Sequence, residues 1–155
     1  MIPYQIYSLG MCLPALVPFS DRIFDDENSI RNELFYLAIT NQFQRGCVIV
    51  SRSLKTDEME EKVKELTPKF PGYDATELNG LFIKSFINEQ ATPEKLIELI
   101  SSLRDRGIRF HLMTCDHIDI SDQRSVNKLH RYATNNGISI LFSKQITRRE
   151  NEKRG

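Results

Sequence analysis

From residue 30 onward the apolar residues alternate between two spacings. Ile30, Leu34, Leu37 and Ala38 recur at helical intervals, with Asn28 or Ser29 placed to cap the helix. Gly46 follows, and Cys47-Val-Ile-Val50 is a short apolar run suited to a strand buried on both faces. Thr56 to Leu66 is rich in charge but keeps Met59, Val63 and Leu66 on one helical face; Thr67-Pro68 and Pro71-Gly72 stop it. Leu81 to Ile87 reads as a strand. Thr92-Pro93 opens a helix with the apolar stripe Leu96, Leu99, Ile100 and Leu103, ended by Gly107. Ile108 to Thr114 is the next strand. Ser121 is placed to cap a helix carrying Val126, Leu129 and Ala133, which Asn136-Gly137 ends. Ile138 to Phe142 is the last strand.

Strands alternating with helices predict an α/β fold, a three-layer sandwich around a mostly parallel sheet. With Leu13 to Phe19 as the first strand, the sheet has about five strands. One domain over residues 1–147 and a polar tail over 148–155 account for the chain, without internal repeats or a linker. Open parallel sheets bind ligands beyond the carboxyl ends of their strands. Those ends carry Pro18-Phe-Ser-Asp21, Ser51-Arg-Ser53, Asn88-Glu89, Cys115-Asp-His117 and Ser143-Lys144, so any site belongs there.

Composition narrows the classes. The chain has 155 residues, 40% hydrophobic and 27% charged, as in ordinary globular domains. Lys+Arg and Asp+Glu both number 21, which argues against a dedicated nucleic-acid or anionic-membrane surface. No apolar run reaches the length of a membrane span. The first nineteen residues are apolar but lack a basic start and contain Pro3, Pro14 and Pro18, so they read poorly as a signal peptide. Cys12, Cys47 and Cys115 are odd in number and lie in apolar contexts, as expected of reduced core thiols in the cytoplasm.

Several segments together carry a resemblance. NELFYLAITNQFQRGCVIVSRSLKTDEMEEKVKEL looks like the helix after a phosphate loop, a glycine turn, the second strand and the next helix. NGLFIKSFINEQATPEKLIELISSL is similar to the following strand and helix, RGIRFHLMTCD to a Walker B strand ending in Asp116, and NNGISILFSK to the next core strand. From about Leu13 to Lys144 the chain thus resembles the RecA/KaiC-like P-loop ATPases, of archaeal KaiC-like type, as a degenerate member without a Walker A motif. The stretch that corresponds to the phosphate loop, Ser20 to Ile30, has no glycine and no lysine. Only Ser29 could stand for the magnesium-binding hydroxyl, and Asp21, Asp25, Asp26 and Glu27 would repel a triphosphate. The resemblance also implies a water-activating glutamate just after the second strand; Ser51-Arg52-Ser53 offers no acid there. It therefore implies a non-catalytic domain with no catalytic residue and no cofactor, acting in regulation or assembly through self-association or a protein partner.

Other constellations remain open. Ser29, Arg52 and Asp116 are the candidates for nucleotide or small-ligand binding in a sensor, and Asp116 is the candidate for a metal. The cluster Cys115-Asp116-His117-Ile118-Asp119 could serve an enzyme, although residues adjacent at a strand end point to opposite sides. The bland reading makes Cys115 a core residue and sets Asp116 and Asp119 against backbone. His111 reads as a core or interface histidine. Arg104, Arg106 and Arg109, like Arg148, Arg149, Lys153 and Arg154, read as solvated charge. Tyr4, Ile6 and Tyr7 lie in an apolar N-terminal segment that either covers the sheet or forms a partner-binding arm; the arm makes them the candidate interface.

Overall fold

The computed structural model describes residues 3–11, 15–67 and 81–147. In chain order its elements are β1 (Tyr4–Gly10), β2 (Val17–Phe24), α1 (Glu27–Arg45), β3 (Cys47–Ser51), α2 (Thr56–Leu66), β4 (Leu81–Ser85), α3 (Pro93–Asp105), β5 (Leu112–Cys115), α4 (Gln123–Asn135) and β6 (Ser139–Gln145). They build an α/β domain on one six-stranded sheet in the order β2-β1-β6-β5-β3-β4. Strands β4, β3, β5 and β6 are parallel, whereas β1 pairs antiparallel with both β6 and β2. Cys12, residues 68–80 and the 148–155 tail lie outside the described residues.

The helices cover both faces. Val48, Val50, Met113, Cys115, Ile140 and Phe142 pack with Leu96, Ile100 and Leu103 of α3 and Val126, Leu129 and Ala133 of α4. Cys47, Ile49, Leu112 and Leu141 pack with Ile30, Leu34, Ala38 and Ile39 of α1 and Met59 and Val63 of α2. The period-2 alternation within Cys47–Val50 sends successive side chains into opposite layers, which is why the run is apolar at every position.

The helix signals operate locally with two changes. Thr92 caps α3 by accepting from the Lys95 N–H at 3.2 Å, with Pro93 at the first helical position. At α1 the cap is Asp26, not Asn28 or Ser29: its carboxylate accepts from the Ser29 N–H at 2.7 Å and the Ser29 hydroxyl at 3.1 Å. At α4 it is Asp122, accepting from the Arg124 N–H at 3.1 Å, while Ser121 donates to Asp119.

The N-terminal segment differs most from expectation. The strand expected at Leu13–Phe19 falls on β2, Val17–Phe24, and Leu13 and Pro14 lie outside the described residues. Residues 4–10 form an interior strand of the sheet, which makes six strands in place of five. Ile6 is 1% and Tyr7 5% exposed, covered by the chain's own layers. Polar Gln5 and Ser8 are buried in this strand too. Gln5 is used to close a bulge. Its pairing jumps from Gln5↔Ile23 to Tyr7↔Pro18, leaving Phe19 to Arg22 of β2 bulged out of register with β1, and Gln5 Nε2 donates to the Ser20 carbonyl at 2.7 Å. With Pro18, Asp21, Arg22 and this bulge, β2 has the marks of a protected sheet edge. Among the described residues no helix is long and apolar enough to cross a membrane.

Candidate functional site

The connections leave β3 and β5 in opposite directions. After β3 the chain turns to α2 on one face, and after β5 to α4 on the other. Between such diverging loops an open sheet forms a crevice at the carboxyl ends of its strands. A cleft of about 560 Å³ lies there, lined by Arg52 and Ser53 after β3, Asp116 to Ile118 and Ile120 after β5, Ser143 to Gln145 of β6, Tyr4 of β1, and Glu27, Ile30 and Arg31 of α1. Its size suits a small organic molecule. Tyr4 reaches this edge because β1 runs antiparallel, so its first residue meets the last of β6, in the register Tyr4↔Gln145.

Asp116 is the hub of the cleft wall, and its side chain is 3% exposed. Its Oδ2 accepts from Arg31 Nε at 2.9 Å and from the Ser51 hydroxyl at 2.5 Å, and its Oδ1 accepts from the Arg52 N–H at 2.8 Å. Ser51 Oγ in turn accepts from the N–H groups of Ser53 and Leu54, which folds the chain after β3 around the carboxylate. Arg31 is buried as well. Its Nη1 donates to Asn28 Oδ1 at 2.9 Å, and its Nη2 lies 3.8 Å from Glu27. Charge and hydrogen bonds at Asp116 are therefore met from within the chain.

Arg31 is the residue that pattern reasoning missed. It stands on the buried side of α1, one turn before Phe35 and two before Ala38, so a helical wheel carries a signal: a cation on an apolar stripe beside the first turn. Which acid it meets is a matter of tertiary packing across 85 residues of sequence.

The three binding candidates separate. Arg52 and Asp116 line the cleft; Ser29 does not, and is tied to Asp26 instead. The Arg52 guanidinium has no hydrogen bond or ion pair among the described residues. The acidic stretch is also dispersed, which corrects the expectation of four carboxylates crowding one site. Asp21 sits in the bulge of β2, Asp25 is exposed, Asp26 caps α1, and only Glu27 lines the cleft, where it accepts from the Tyr4 hydroxyl at 3.0 Å.

In the Cys115 to Asp119 cluster the side chains diverge as strand geometry requires. Cys115 points into the layer of α3 and α4, fully buried, and its thiol donates to the His117 carbonyl at 2.9 Å, not to the imidazole. Burial pushes the thiol up, and neighbouring Asp116 adds to this. His117 is exposed at the cleft and held below its ordinary value, by desolvation first and by the Arg52 charge next. Asp119 accepts from the hydroxyl and N–H of Ser121, which hold its carboxyl below the usual range. Among the described residues no group of three or more His, Cys, Asp or Glu side chains could hold a metal ion.

His111 precedes β5 and extends its ladder, donating to the Gly46 carbonyl at 3.2 Å and accepting from the Ser139 N–H at 2.9 Å. The observed β5 starts at Leu112, so the strand expected over Ile108 to Thr114 begins four residues later. Comparison of the chain with protein-family models, with curated proteins and with solved structures gave no match.

Proposed function

We propose that this chain is a non-catalytic domain of RecA/KaiC-like kind, cytoplasmic, with a regulatory or assembly role. One observation carries the non-catalytic part: the Arg31 guanidinium sits on the Asp116 carboxylate. In a nucleotide hydrolase the acid at this strand end must be open to a magnesium ion and its water. A guanidinium bonded to it at 2.9 Å takes up the negative charge the metal would need and occupies one of its oxygens. The hydroxyl of Ser51 shares that oxygen, and the N–H of Arg52 bonds the other. The resemblance to RecA/KaiC-like domains lies in the order of elements. The strand leading to the acidic stretch is at the sheet edge, separated from β5 by β1 and β6.

The decisive experiment is a phosphate-release assay with ATP and magnesium. No turnover above the buffer rate is expected. Magnesium-dependent turnover that disappears in Asp116→Ala would refute the proposal.

A second reading, a nucleotide- or small-ligand-binding sensor, is favoured by a separate observation: the cleft lies between diverging loops and presents the uncommitted Arg52 guanidinium. An enzyme built on the Cys115–Asp119 cluster gains no such support, because the thiol faces the core and bonds backbone. For assembly, the exposed Phe19 in the β2 bulge and the exposed Met11 after β1 offer more to a partner than Ile6 and Tyr7, which are already covered.

A further inference from the structure

The cleft is unevenly committed. Of its cationic groups, Arg31 is spent on Asp116, and the Lys144 ammonium lies 4.8 Å from the centroid of the Tyr7 ring. Arg52 alone extends a guanidinium whose five donors are unused among the described residues. Its backbone is not free to wander: the Arg52 N–H is fixed to Asp116, and Ser51 clamps the two residues that follow. The side chain therefore starts from a rigid anchor, which lowers the entropic cost of using it. Beside it stands the exposed imidazole of His117, with the Ser53 side chain on the same wall and Ile30, Ile118 and Ile120 supplying an apolar lining.

We propose that this cleft binds a small molecule through a single oxyanion group, a phosphate or a carboxylate, seated between Arg52 and His117. The inference rests on the sensor reading above and makes it more specific. Charge restricts the ligand to one such group. Glu27 lines the same cleft, Asp116 is already balanced by Arg31, and Lys144 lies over the Tyr7 ring, so Arg52 is the cation the wall turns to a ligand, joined by a second when His117 is protonated. A di- or triphosphate would bring charge that these residues do not meet, and would face Glu27. The body of the ligand rests on the isoleucines.

Binding is coupled to protonation of His117. The charged groups acting on the imidazole are Arg52 from the loop after β3, Asp116 and Asp119 from its own loop, and Glu27 from α1. In the free protein, desolvation and Arg52 favour the neutral ring over the three carboxylates' opposing effect. An anion beside the ring neutralises the field of Arg52 and favours the imidazolium. By linkage, acidification tightens binding.

The test is an NMR titration of the isotopically labelled full chain, following the amides of Arg52 and Ser53 and the His117 ring. The probes are sulfate, whose charge is constant over the range, inorganic phosphate, phenyl phosphate, benzoate, ATP without metal, and uncharged adenosine, with sodium chloride matching ionic strength. Saturable shifts at these residues are expected with sulfate, tightening between about pH 7.5 and about pH 5.5, on either side of the free imidazole value. Phenyl phosphate against benzoate distinguishes a phosphate from a carboxylate source. Arg52→Gln should weaken binding at least about tenfold, the scale of one charge-assisted hydrogen bond, and His117→Asn should remove the pH dependence. Shifts that merely follow ionic strength, or an unchanged titration in Arg52→Gln, would overturn the proposal. If adenosine or ATP saturates the cleft more tightly than phenyl phosphate, the single-oxyanion inference fails while the sensor reading stands. If no probe shifts these residues, both fail.

Discussion

Replacing Arg31 with Met tests the buried ion pair of the cleft wall. The substitution keeps an unbranched apolar stem on α1 and removes the guanidinium, so Asp116 stays buried without its ion-pair partner. At 2.9 Å and an effective dielectric near 20, the lost attraction is about 6 kcal/mol before desolvation is counted. Breaking a buried pair from one side typically costs about 3–5 kcal/mol. Asp116 keeps the Ser51 hydroxyl and the Arg52 N–H, two of its three donors, which places the expected loss near the lower end, about 3 kcal/mol. For a chain of this length that corresponds to a Tm lowered by roughly 6–12 °C. The assay is equilibrium urea denaturation of four proteins: the parent, Arg31→Met, Asp116→Leu and the double variant. The double variant removes both charges, so it should be more stable than the sum of the single losses implies, by about 2 kcal/mol. An Arg31→Met loss below about 0.5 kcal/mol, or single losses that add within that margin, would refute the reasoning.

Two further outcomes follow from the geometry. Gly10 has φ +95°, and a Cβ there would lie 2.3 Å from the Ile138 carbonyl oxygen, a backbone atom that cannot move aside; Gly107 has φ +81° with nothing within 4 Å. Gly107→Ala should therefore cost about 1 kcal/mol of left-handed strain alone, whereas Gly10→Ala should cost at least about 3 kcal/mol, as thermal denaturation would read. Stability should also fall on acidification, in two stages. His117 has a lowered value, so the unfolded chain takes up the proton first, and stability is lost as pH drops through the ordinary value of 6.5 toward the folded one. This upper stage should vanish in His117→Asn. Asp26, lowered by the N–H and hydroxyl of Ser29, and Asp119, lowered by the hydroxyl and N–H of Ser121, stabilise above the ordinary 3.8 and lose that effect as pH falls through their lowered values.

Much of this architecture was written in local pattern. The apolar stripes of α1 and α3, the Thr92-Pro93 start, the run Cys47–Val50 and the glycine-ended helices depend on neighbours three or four residues away, and such interactions can be read along a chain. So could the place of the cleft, since the carboxyl ends of parallel strands are the strand ends of the sequence. What the pattern left undecided was settled by partners distant in sequence. Residues 4–10 read equally as cover for the sheet or as an apolar arm, and only the flanking β2 and β6 give their backbone a ladder and give the Gln5 amide a bulged carbonyl to hold. Asp116 reads as an acid bonded to backbone or as a metal candidate, because a lone acid at a strand end carries no mark of its partner. Only the packing of α1 across the sheet brings Arg31 against it and turns an open coordination site into a closed ion pair, because a buried charge must be matched in space and not in sequence.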